Sequence, residues 1–130
     1  MNTTTTTTEM VCELGNVWGW HSIINAGGCN DNVDNKEAII SFKDELIEKI
    51  DMVQYGEPLI ERFGEDHLEG ITIVQLIRTS NLTIHFCKES NTFYFDLFSC
   101  KPFYEADVLS CINKWFQPTI IQTKFLARGI

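Results

Sequence analysis

The chain lacks any Cys-x-x-Cys pair: its five cysteines stand at 12, 29, 87, 100 and 111, an odd number with wide gaps. That spacing suits neither the common zinc ligand sets nor a disulfide framework, so reduced thiols and no metal are expected. No apolar run approaches membrane-spanning length, and no basic segment leads into an apolar stretch as in a secretion signal. The expectation is a cytoplasmic protein with no membrane partner, in which the Asn-x-Ser/Thr sequences at Asn2 and Asn81 are chance matches. Positive charge is scarce too, with 10 Lys and Arg against 18 Asp and Glu and a net charge of -8. Without a basic stripe to meet phosphates, a nucleic-acid partner is not expected, whereas an acidic field mildly favours cationic small molecules.

What is present reads as one globular domain. Hydrophobic residues make up 44% and charged residues 22% of 130 positions, enough to bury a core. Residues 1–14 form a low-complexity tail with six consecutive threonines, expected to be flexible or loosely attached, and residues 15–130 form the domain. Strands are expected over residues 18–26, 71–78, 81–89, 92–100 and 119–127. The pair Gly27 and Gly28 reads as a turn, and residues 56–70 as irregular. Helices are expected over residues 37–52, with Ile39, Ile40, Leu46, Ile47 and Ile50 on one stripe, and 105–116, with Val108, Leu109, Ile112, Trp115 and Phe116 on another. This pattern predicts an α+β fold: a two-layer α/β sandwich with a mainly antiparallel sheet, two helices on one face and a polar opposite face.

A two-residue turn at Ser90 and Asn91 would pair residues whose numbers sum to 181, such as Glu89 with Thr92. Leu82, Ile84 and Phe86 then lie beside Phe93, Phe95 and Leu97 on the apolar face. Asn81, Thr83, His85, Asp96, Phe98 and Cys100 occupy the polar face. This register sets Cys100 opposite Asn81, next to Ser80, and leaves His85 opposite Asp96, roughly 13 Å away along the strands. A nucleophile and base need contact near 3 Å. One chain alone does not join them, whereas a second copy packed antiparallel on the polar face would.

The sequence therefore carries a hydroxyl at Ser80, an imidazole at His85 and a thiol at Cys100 on adjacent strands, with Asp96-Leu97-Phe98-Ser99-Cys100 leading to the thiol. These spacings resemble the small bacterial-type, pyruvoyl-dependent S-adenosylmethionine decarboxylases, over residues 18–129. The resemblance implies self-cleavage between Thr79 and Ser80, leaving Ser80 as a covalent pyruvoyl cofactor that holds the substrate amine as a Schiff base. It implies that His85 is the processing base, Thr72 the hydroxyl assisting cleavage and stabilising the oxyanion, and Cys100 the proton donor to the substrate. Glu89 would hold the ribose hydroxyls. It also implies a homodimer with shared sites, and a product that donates aminopropyl groups for spermidine synthesis.

The chain departs from that pattern at Arg78 and Thr79, where many relatives carry glutamate before the serine. Asp66 stands where relatives stack the adenine on phenylalanine. Phe63, through a shifted loop, and Trp20 or Trp18 on the first strand are then the expected stacking faces. Two alternatives stay open: the same chemistry on arginine or ornithine, and an uncleaved homologue acting as a regulatory subunit. His21, His67, Cys29 and Cys111 read as structural.

Overall fold

The computed structural model describes residues 3–10 and 16–130; part of the expected tail, with Cys12, lies outside the described residues. Among the described residues, seven strands and two α-helices follow one another as β1 (Thr3–Met10), β2 (Val17–Gly27), α1 (Lys36–Lys49), β3 (Gln54–Phe63), β4 (Gly70–Ile77), β5 (Ser80–Cys87), β6 (Thr92–Ser99), α2 (Glu105–Phe116) and β7 (Ile120–Gly129). They form one sheet in the order β1-β7-β2-β6-β5-β4-β3. All neighbours from β7 to β3 run antiparallel, and β1 joins the edge parallel to β7. Both helices cover one face, as the α+β sandwich reading expects.

Strand alternation explains why. Leu82, Ile84 and Phe86 of β5 and Phe93, Phe95 and Leu97 of β6 are at most 1% exposed, so each strand turns its apolar set to the helices. Asn35 starts α1 by accepting a 3.1 Å hydrogen bond from the Ala38 amide. That helix buries Ile39, Phe42, Leu46 and Ile47, while α2 buries Val108, Cys111, Ile112 and Phe116. The Phe116 ring lies 4.9 Å from Phe42, 5.4 Å from Phe86 and 5.0 Å from Phe93, centroid to centroid, and so ties both helices to the sheet. Burying each such side chain stabilises the fold by about 1.5–3 kcal/mol. Gln117, in the left-handed region, and then Pro118 stop α2. No helix among the described residues is long and apolar enough to cross a membrane.

Three features differ from the sequence reading. The stretch expected to be irregular holds β3, an edge strand with a register shift between Tyr55 and Leu59. Its exposure shows no clean alternation, and it carries Pro58, which only an edge tolerates, so the period-two signal is absent. The threonine run, expected to be loose, forms β1; β-branched residues favour extended backbone and need only one neighbour at an edge. Finally, β5 and β6 pair with residue numbers summing to 179, as in Cys87 with Thr92, so the predicted register is two residues out. The hairpin loop has four residues, 88–91. Asn91 there adopts φ +50° while its side chain bonds Asn30 and Asp31 and its carbonyl accepts from the Cys29 amide. A slip of two preserves the faces, which is why the core assignment survives it.

Candidate active site

Arg78 and Thr79 make the two-residue turn between β4 and β5, closed by the pair Ile77 and Ser80. Thr79 has φ +59°, a region that glycine or asparagine normally fills and that a β-branched residue disfavours. Its carbonyl accepts a 3.2 Å hydrogen bond from the Cys100 amide. Next to it, the Ser80 hydroxyl points to the helix side and donates to Ser99 Oγ at 2.6 Å. Ser99 Oγ also accepts from the Lys101 amide at 2.9 Å, and Met52 Sδ lies 3.8 Å from it. Ser80 is 8% and Ser99 0% exposed, so these hydroxyls meet below the surface. Cys100 is half-buried, whereas Cys29, Cys87 and Cys111 are buried. Burial pushes the Cys29 thiol up to about 11 and raises that of Cys111, which keeps both in the protonated, inert form.

The far end of the same strands carries a second group. Thr72 and His85 are cross-strand partners, and Thr72 Oγ1 meets His85 Nδ1 at 2.6 Å. His85 lies opposite Tyr94 rather than Asp96. It is five residues from Ser80, about 17 Å along the strand, and about 20 Å from Cys100. The expected separation of roughly 13 Å is thus lengthened by the two-residue register difference. Phe63 ends β3 opposite Gly70 and is exposed, and Glu89 sits in the exposed 88–91 loop. The sequence-predicted residues therefore divide: Thr79, Ser80 and Cys100, with Trp20 opposite Ser99, at the hairpin tip, and Thr72, His85, Phe63 and Glu89 at the other end. Within one chain Thr72 does not reach the Thr79 carbonyl; its hydroxyl orients the His85 ring instead.

Sequence reading offered Trp18 as an alternative to Trp20 and set Phe98 on the polar face, but missed Arg128 and gave Ser99 no role. Trp20 packs partly buried against the core, but a register shift between Val17 and Gly19 re-aims Trp18 to the open face. There Trp18 stacks on Phe98 with ring centres 5.8 Å apart and planes within 14°, and the Arg128 guanidinium stands 4.7 Å over the Phe98 ring. They line a cleft of about 740 Å³ with Leu126 and Ile130. The signal was Gly19 between two tryptophans: a Cβ there would meet the Ser99 carbonyl oxygen at 2.8 Å and the Phe98 ring. His21, read as structural, holds Asp96 through Nε2 at 3.0 Å on this face. Ser99 was quoted only as part of the segment leading to Cys100, because a lone serine inside an apolar strand carries no pattern of its own.

Comparison with known proteins adds a name to this geometry. Residues 20–129 match the family described as S-adenosylmethionine decarboxylase. Proteins called S-adenosylmethionine decarboxylase proenzyme from the Clostridium botulinum strains Loch Maree (type A3) and 657 (type Ba4) are each 28% identical over 89 residues, 68% of this chain and 73% of theirs. The Langeland strain (type F) has a protein of the same name with the same identity and coverage. With 110 consecutive positions matched and a serine, a thiol and a constrained peptide converging at one hairpin tip, the chain belongs to the S-adenosylmethionine decarboxylase family.

Proposed function

We propose that this chain cuts itself between Thr79 and Ser80, carries a pyruvoyl group at residue 80, and decarboxylates S-adenosylmethionine to the aminopropyl donor used in spermidine synthesis. The observation that carries the reading is the hold on the Thr79–Ser80 peptide: a left-handed Thr79, its carbonyl held by the Cys100 amide, and a buried serine hydroxyl beside it. Relatives named as proenzymes support the same reading.

The chemistry of cleavage needs only the chain's own residues. Ser80 Oγ adds to the Thr79 carbonyl carbon while the Cys100 N–H steadies the oxygen, and the peptide isomerises to an ester. In the tautomer whose Nδ1–H donates to Thr72 Oγ1 across the 2.6 Å contact, His85 Nε2 is the basic nitrogen and takes the Ser80 α-proton. β-Elimination frees the Thr79 carboxylate and leaves a dehydroalanine, which water hydrolyses with loss of ammonia. A pyruvoyl group at residue 80 would supply the ketone and electron sink that decarboxylation of an amine substrate needs. Cys100 Sγ–H, half-buried near the cut, delivers a proton to the substrate Cα. The stacked Trp18 and Phe98 offer a flat aromatic surface to the nucleoside.

Because His85 stands about 17 Å from Ser80 in its own chain, the reading requires a homodimer in which the partner's His85 approaches the tip. Intact-mass measurement is the test: two chains, residues 1–79 and 80–130, are expected, and Ser80→Ala should remain whole. Carbon dioxide release is expected from S-adenosylmethionine and not from arginine or ornithine. Cys100→Ala should still cleave but lose at least roughly 100-fold in turnover. A wild-type protein that stays a single chain would make it an uncleaved homologue; release from arginine or ornithine would move the substrate to a basic amino acid.

A further inference from the structure

We infer that Ser99 positions the Ser80 hydroxyl for chain cleavage, through the 2.6 Å hydrogen bond between these two buried hydroxyls at the hairpin tip. The inference rests on the self-processing reading and deepens it. The direction of the hydrogen bonds is the first argument. The Lys101 amide can only donate, and it occupies one lone pair of Ser99 Oγ at 2.9 Å. Ser80 donates into the other, and the Ser99 proton is left toward Met52 Sδ at 3.8 Å. Ser80 thus gives its proton away from the peptide and keeps its own lone pairs clear of donors.

The second argument is local rigidity. Ser99 is fully buried, and Ser80 is its cross-strand partner. The next residue, Cys100, holds the Thr79 carbonyl through its amide. Two consecutive residues thereby grip both reacting atoms, the oxygen that attacks through Ser99 and the carbonyl that is attacked through Cys100. Lys101 is itself tied to the Asp51 carboxylate at 3.1 Å, which anchors the segment from behind. Without Ser99 the Ser80 hydroxyl would keep only the long, weak contact to Met52 Sδ at 3.7 Å, and its rotation among staggered positions would be far less restricted.

The step is an isomerisation. A bond forms from Ser80 Oγ to the Thr79 carbonyl carbon, the C–N bond breaks, and the hydroxyl proton ends on the Ser80 nitrogen. Ser99 is unchanged at the end, so it is a positioning residue. Trapping separates its role from that of the base: His85→Ala, which lacks the base, should accumulate the ester, and hydroxylamine splits esters but not peptides. Expected results are that Ser99→Ala slows the appearance of residues 1–79 and 80–130 at least roughly tenfold. Ser99→Thr, which keeps the hydroxyl, should restore the rate to within about threefold of wild type. Adding Ser99→Ala to His85→Ala should lower the fraction that hydroxylamine splits. Cleavage of Ser99→Ala at the wild-type rate overturns the inference and leaves self-processing standing. Equal slowing in Ser99→Ala and Ser99→Thr, with both less stable to urea, also overturns it, since the hydroxyl would not be the cause. If the wild type never cleaves and hydroxylamine splits nothing in His85→Ala, the self-processing reading falls with it.

Discussion

Thr79 holds a backbone conformation that its β-branched side chain disfavours, and hydrogen bonds from its own hydroxyl to the Arg78 carbonyl and from the Cys100 amide to its carbonyl offset the cost locally. An L-residue in the left-handed region costs about 1–2 kcal/mol, whereas the added freedom of glycine in the unfolded chain costs about 0.5–1. In an uncleavable Ser80→Ala background, Thr79→Gly is therefore expected to raise the unfolding free energy by up to about 1 kcal/mol, measured by urea denaturation. A loss of stability would show that the turn is relaxed as it stands. Single residues were legible in the sequence where their chemistry is rare. Ser80, His85 and Cys100 stood out by type and spacing, and so did the hydroxyl of Thr72. Their division between the two ends of the strands was legible as well, but the register itself was not, because the 88–91 loop is fixed by Asn30 and Asp31, some sixty positions away, and no local signal announces that contact.

At the scale of elements, the two helices and the central strands were readable because their apolar positions recur at clear periods. Val108, Ile112 and Phe116 of α2 form such a stripe, and all three are fully buried. Edge strand β3 was not readable: Leu59 is 64% and Phe63 58% exposed, so nothing in its composition separates it from loop. The N-terminus of α2 carries an element-scale prediction. Burial holds the Glu105 carboxyl above its ordinary value of 4.5, against an opposing hydrogen bond from Thr123, and its Oε2 is buried without a partner. An acid whose folded value is raised is most favourable when protonated. Its contribution is complete below pH 4.5 and is lost as pH rises through the shifted value. Glu105→Gln keeps the shape and cannot ionise, so it should flatten that decline and exceed wild type in stability at neutral pH. Urea midpoints across pH 4 to 8 check this; parallel curves for the two proteins would exclude it.

For the molecule as a whole, the open sheet face is where the proposed assembly would form. It bears Leu59, Leu76 and Tyr94 at 64%, 55% and 47% exposure, with Tyr94 directly opposite His85. A homodimer through this face follows from the proposed function. Sedimentation should give twice the chain mass of 14.9 kDa. Co-expressing Ser80→Ala with His85→Ala should let the former's histidine cut the latter's chain, although neither variant cuts itself. Absence of any cut chain in the mixture would place the base within one protomer.

The order of strands has a last consequence. A break after Thr79 assigns β1, β2, β3 and β4 to one fragment and β5, β6 and β7 to the other, and in the sheet these are interleaved. Fragment boundaries fall between β1 and β7, β7 and β2, β2 and β6, and β5 and β4. The two pieces are woven like the fingers of clasped hands. They are expected to travel as one particle through gel filtration and to part only in denaturant, so that the proposed cut would not undo the fold.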